Sequence, residues 1–172
     1  MEGIKLLSKT IIVSCLFLMG CGDDEPETPL TSEEIRELSL GNGSAQITVT
    51  GGTLGSQTFP GFEVVTASEE SGTYGLSAAS VNNLTSIGFL VVSFNDLPEA
   101  SGTYQLDELG GSITYQFNIG EEVFLTGLPI TSGVELQIQY LSNGIRVDFD
   151  IQDTGGFTTG HTSSSGFIQA TQ

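Results

Sequence analysis

The sequence predicts an all-β domain, an antiparallel β-sandwich with Greek-key connections preceded by one short helix. Three observations carry that expectation. From Ser44 onward apolar residues recur with a period of two, the pattern of strands that bury one face. Clusters of Gly, Asn, Ser and Thr break the pattern at short intervals, as many short antiparallel strands require. In one hairpin, alternation and turn chemistry demand the same pairing. An up-and-down barrel is the alternative, because the two architectures share their local signals. The absence of Trp and a helix placed before the strands favour the sandwich.

The chain opens with Lys5 and Lys9, followed by an apolar run of nine residues, Ile11 to Met19, broken only by Ser14. That run is too short for a membrane span, which needs roughly 20 apolar residues. A cationic start, a short apolar core and a small-residue close are the parts of a secretory leader. Leu18-Met19-Gly20-Cys21 resembles the lipobox of bacterial lipoproteins. The resemblance covers about the first 30 residues. It implies cleavage before Cys21, acylation of the Cys21 sulfur and of the new amino terminus, and a lipid anchor. Cys15 would leave with residues 1–20, so the mature chain is expected to hold no free thiol and no disulfide.

Residues 22–31 combine four acids with two prolines and read as an extended tether following the lipidated Cys21. Acids immediately after that cysteine, Asp23, Asp24 and Glu25, resemble the surface-export signal of lipoproteins from Bacteroidota-type bacteria. The resemblance implies the outer membrane with surface display; the periplasmic face is the alternative.

A single domain is expected over 32–172. Thr31 with Glu34 makes a capping box and Leu30 with Ile35 a hydrophobic staple, so a helix is expected over 32–38, stopped by Gly41 and Gly43. One or two turns cannot persist alone, so this helix must dock on the end or edge of a sheet. Strands follow at Gln46 to Thr50, Glu63 to Ala67, Tyr74 to Ala79, Ser86 to Phe94, Thr103 to Leu106, Ile113 to Ile119 and Val123 to Thr126. The segment around Ile87 to Val92 is apolar on both faces and should be the most deeply buried strand. The sharpest hairpin joins 134–140 to 145–151 through Asn143-Gly144, a pair suited to a type I′ turn. That turn sets Tyr140 against Val147 and Ile138 against Phe149, with Gln139/Asp148 and Gln137/Asp150 on the other face. A last strand covers Gly166 to Ala170. Ser71-Gly72-Thr73-Tyr74 recurs as Ser101-Gly102-Thr103-Tyr104, which local convergence on a turn-to-strand junction explains better than duplication.

Charge restricts the partners. The chain carries 21 acids against four Lys and Arg, for a net −17. Loss of residues 1–20 removes Lys5, Lys9 and Glu2, a net +1, which leaves about −18 with Arg36 and Arg146 as the cations. Such a surface is repelled by phosphate backbones and by anionic membranes. Nucleic acid is therefore an unsuitable partner, and the acyl chains must do the anchoring.

Catalytic motifs are absent: no G-x-S-x-G, H-E-x-x-H, G-x-x-x-x-G-K or G-x-G-x-x-G occurs. His161 is the single histidine, placed by the sequence in a Gly/Thr/Ser loop, where a pair with Ser163, Ser164 or Ser165 has no fixed geometry. A noncatalytic domain is expected. Asp148 and Asp150 project from one strand face with Asp153 just beyond, an oxygen set that suits calcium, although Arg146 on the same face offers Asp148 an ion pair instead. Phe59 and Phe62 flank Pro60-Gly61, where at least one ring is expected to be exposed and to contact a glycan or an envelope protein. The expected function is a lipid-anchored binding or structural module. The alternative resembles lipocalin-like lipoproteins, which carry a small apolar ligand.

Overall fold

The computed structural model describes residues 28–51, 55–59, 62, 64–80, 88–119, 122–125, 129–152 and 161–172. The lipobox with Cys21, the acidic stretch 22–27, Pro60-Gly61 and Asp153 lie outside these residues. Among the described residues no helix is long and apolar enough to cross a membrane.

Helix α1, Ser32–Glu37, begins as its sequence demands. The Thr31 hydroxyl accepts from the Glu34 amide at 3.3 Å, and Glu34 Oε2 accepts from the Thr31 amide at 2.8 Å, so both halves of the capping box are made. The bond from the Thr31 amide, foremost, and a second donated by the Thr31 hydroxyl to Glu34 Oε2 at 2.9 Å hold the Glu34 carboxyl below its ordinary pKa. Ile35 is fully buried and Leu30 packs beside the core. Arg36 reaches Glu69 at 2.9 Å, and the Leu30 amide donates to the Leu141 carbonyl. The helix thus bridges the two sheets at one end of the domain.

The first sheet has strand order β2-β1-β11-β10-β9-β6: β1 Asn42–Gly51, β2 Gln57–Phe59, β6 Gly102–Gln105, β9 Val134–Leu141, β10 Gly144–Gln152 and β11 His161–Thr171. The second has order β3-β4-β5-β7-β8: β3 Val64–Glu70, β4 Thr73–Ser80, β5 Gly88–Phe94, β7 Ser112–Ile119 and β8 Glu122–Leu125. All pairings are antiparallel. The two sheets do not close into a barrel, so the sandwich is the architecture. Strands β9, β10 and β11 are consecutive neighbours, and β1 lies beside β11, separated from β9 in the chain by the whole second sheet. That is a Greek-key order.

Inward rows of both sheets fill the space between them. Ile47, Leu76, Leu90, Ile113, Leu136 and Val147 each expose essentially nothing, and burial of each such side chain contributes about 1.5–3 kcal/mol. β5 is the middle strand of its sheet, as its apolar sequence requires, although Phe89 and Val91 on its outward side are only half-buried.

One register differs from expectation. Tyr140 opposes Ile145, Ile138 opposes Val147 and Leu136 opposes Phe149, a shift of two residues from the type I′ pairing. The connecting pair is Ser142-Asn143, and neither residue has positive φ. Gly144 belongs instead to the ladder with β11, where an added Cβ would lie 2.0 Å from the Ala170 carbonyl oxygen. The neighbouring strand, not the turn, requires glycine there. A shift of two leaves inner and outer faces unchanged. Positive φ at both central residues occurs between β3 and β4, at Ser71 (54°) and Gly72 (82°). Its sequence echo at Ser101-Gly102 has no such geometry and lies in the other sheet, which fits convergence.

Candidate binding face

The residues singled out from sequence divide between core and surface. Phe62 is 3% exposed and meets Phe117 edge-on at 5.7 Å, while Phe59 is half-buried and stacks on the same ring at 4.5 Å. The expected exposed ring is therefore corrected: β2 tucks Phe59 against the core edge, and both rings use Phe117 as their platform. Tyr74 is buried and Tyr104 half-buried, with the Tyr104 hydroxyl donating to the Ala100 carbonyl.

His161 is also corrected. It opens strand β11, opposite Gly51 at a register shift, and is not part of a loop. Along that strand Ser163 and Ser165 lie on the outward side, while Ser164 is buried and accepts from the Tyr115 hydroxyl at 3.1 Å. Burial, only partly opposed by that bond, pushes the Tyr115 phenol up to about 12. Ser164 and Tyr115 thus satisfy each other inside the sandwich.

The outward side of the first sheet is different in character. Register sets Glu135, Asp150, Ser165 and Thr48 in one row across β9, β10, β11 and β1. Gln137, Asp148, Phe167 and Gln46 form the next, and Gln139, Arg146, Gln169 and Ser44 the third. A depression of about 310 Å³ is lined by Glu135, Gln137, Asp148, Asp150 and Ser165. A second, of about 320 Å³, lies against Ser101, Thr103, Gln137 and Gln139. Gln137 borders both, so a shallow polar track crosses the sheet from β6 to β11.

Arg146 organises the middle of this face. Its Nε and Nη2 reach the two Asp148 oxygens at 2.8 and 2.6 Å, Nη1 reaches Gln169 Oε1 at 3.5 Å, and the guanidinium lies 4.0 Å from the centroid of the Phe167 ring. Hydrogen bonding to Asp148 holds the Arg146 pKa above its ordinary value. The pair is part-exposed, so its worth to stability is at most about 1 kcal/mol. Its effect is geometric: one fork fixes Asp148, Gln169 and Phe167 relative to each other.

The acids suggested for calcium are dispersed in role. Both Asp148 oxygens are engaged by Arg146, Asp150 accepts from Gln152, and Asp153 is outside the described residues. Among the described residues no group of three acidic, His or Cys side chains gathers as metal ligands would. Glu135 and Asp150 oppose each other directly across β9 and β10, a like-charge pair that costs stability.

The sequence pairs Arg146 with Asp148 and sets Gln139 beside them, opposite Asp148 where the structure has it opposite Arg146, but it does not show Phe167 and Gln169 as neighbours. The signal for Gln139 lies in the outward alternation of Glu, Gln and Asp over 135–139 and 146–150. Phe167 needed the β11 register, which no sequence feature supplies. Comparison with family models, with curated proteins and with solved structures finds no match for this chain.

Proposed function

We propose that the chain is a lipid-anchored protein of the outer membrane or cell surface whose sandwich is a noncatalytic binding module, and that the outward side of the first sheet takes a glycan. The observation that carries this reading is the polar track around Gln137. Its amides, hydroxyls and carboxylates offer donors and acceptors at strand-to-strand spacing, the complement of successive sugar hydroxyls. Such a track is open to water, whereas a general acid or nucleophile works best where water is excluded. Among the described residues the inward side chains of both sheets gather in one hydrophobic cluster, which supports the binding module over the carrier of a small apolar ligand, for which inward residues would line a cavity. The leader, Cys21 and the acids behind it support the address.

Three experiments test the two halves. Cys21→Ala should move the protein from the membrane fraction to the soluble fraction, and replacement of Asp23, Asp24 and Glu25 by Ala should remove it from the reach of protease added to intact cells. Membrane retention of Cys21→Ala at high salt would refute the anchor. On a glycan array the chain should select a limited set of glycans, and Gln137→Ala with unchanged melting and Asp150→Ala with unchanged or raised melting should each weaken binding. No bound glycan, or binding indifferent to both substitutions, would refute the binding face.

A further inference from the structure

The outward side of the second sheet is free of charge across its three central strands. Register sets Ala79-Phe89-Gln116, Ser77-Val91-Thr114 and Gly75-Ser93-Ser112 in rows across β4, β5 and β7, and Thr66 and Ser68 continue the last two onto β3. None of these residues ionises, in a chain with 21 acids. The opposite side of the molecule, by contrast, carries Glu135, Arg146, Asp148 and Asp150. Phe89 and Val91 are half-buried and stand outside the core cluster.

We infer that two copies of the chain associate through this uncharged face. Charge selects the occupant. A copy brings the same net −17, so self-association requires a face from which carboxylates are missing, and these rows provide one. Relief selects it as well. β5 is a ridge of Phe89 and Val91, and β4 beside it is a furrow of Ala79, Ser77 and Gly75. A two-fold axis parallel to the strands and midway between β4 and β5 lays each ridge in the other copy's furrow. Phe89 then meets Ala79, Val91 meets Ser77 and Ser93 meets Gly75 in both directions, the self-complementarity of an isologous interface.

Size sets the strength. The axis overlaps β3, β4, β5 and β7, each of seven or eight residues, with Glu70 at the end of edge strand β3 placing a carboxylate on the rim of that area. At about 4.8 Å between strands and 3.4 Å per residue this is roughly 450 Å² of sheet plane per copy, or about 900 Å² for the pair. Specific interfaces begin near 1,000 Å² of accessible area, which for a corrugated face exceeds its projection, so the pair is weak and reversible. The pair would leave both candidate binding faces outward, so a repeating ligand could engage two at once.

Sedimentation equilibrium of the full chain in mild detergent, from micromolar to near-millimolar concentration, tests this. A monomer–dimer equilibrium is expected, and added salt should strengthen it by screening the mutual repulsion. Ser77→Asp should weaken it by about tenfold or more while melting is unchanged, because like charges are then opposed across the axis. Mixing Ser77→Asp with Ser77→Lys should restore a mixed pair, and Thr114→Asp repeats the readout should position 77 disturb folding. A chain that stays monomeric at high concentration and high salt overturns the inference. So does a dimer indifferent to both Asp substitutions.

Discussion

Gly166→Ala isolates one close approach at the centre of the first sheet. Gly166 opposes Ile47 on β1 and Phe149 on β10, so its strand is held from both sides. An added Cβ would lie 2.1 Å from the Gln46 carbonyl oxygen and 2.9 Å from Ile47 Cα, whereas ordinary contact begins at 3.4 Å. The 1.3 Å difference between 3.4 and 2.1 Å must come from separation of β1 and β11. That would stretch ladder bonds of about 2.9 Å to about 4.2 Å, beyond hydrogen-bonding range. Two bonds lost at about 1 kcal/mol each, with some desolvated amide left unpaired, give a destabilisation of about 3 kcal/mol. At roughly 2–4 °C per kcal/mol for a domain near this size, melting should fall by about 6–12 °C. Calorimetry against Gly41→Ala provides the reference, since a Cβ at Gly41 meets nothing within 4 Å. Gly144→Ala should fall between them, because the end of a ladder can peel. Equal melting of Gly166→Ala and Gly41→Ala would refute the reasoning.

Phe62→Ala should lower stability by about 3–5 kcal/mol, and Phe59→Ala by less, because Phe62 is buried and Phe59 only half so; unchanged melting of Phe62→Ala would remove that ring from the core. Alkaline pH should unfold the domain cooperatively. Burial pushes the Tyr74 and Tyr115 phenols from 10.0 up to about 12, so their contribution is complete below pH 10 and is lost as pH rises through about 12. Tyrosinate absorbance followed alongside circular dichroism checks this: ionisation of all four tyrosines near pH 10 ahead of unfolding would contradict it.

Most of the fold was legible because strand faces are written in a period of two. β9 and β10 show where that ends. Their alternation settled which residues point inward, since every even shift preserves it, but the shift itself depended on whether Gly144 serves the turn or the adjacent β11. Only the three-dimensional neighbour decides that. β2 went unread because three residues, Gln57–Phe59, are too few for a period. The first residues of β11, His161 to Ser165, are polar and carry no strand signal, yet β11 lies between β1 and β10 and needs its backbone, not its side chains, to pair. The capping box of α1 was fully legible, being a contract between residues three apart. The polar track was legible residue by residue, but not as a surface, because it is assembled from β6, β9, β10 and β11.

The position of α1 has a mechanical consequence. Anything that pulls on the chain ahead of Thr28 transmits its load through Leu30 and α1 before it reaches β1. α1 has six residues, and straightening them from about 1.5 to 3.4 Å each releases roughly 11 Å of slack. Beyond it stands β1, paired with β11 from Asn42↔Thr171 through Gly51↔His161. A pull along the axis of β1 loads those rungs together in shear, instead of opening them one at a time. The short helix therefore acts as a yielding link in series with a stiff one: it lengthens first under tension, spares the sheet, and can re-form on its capping box when the load is released.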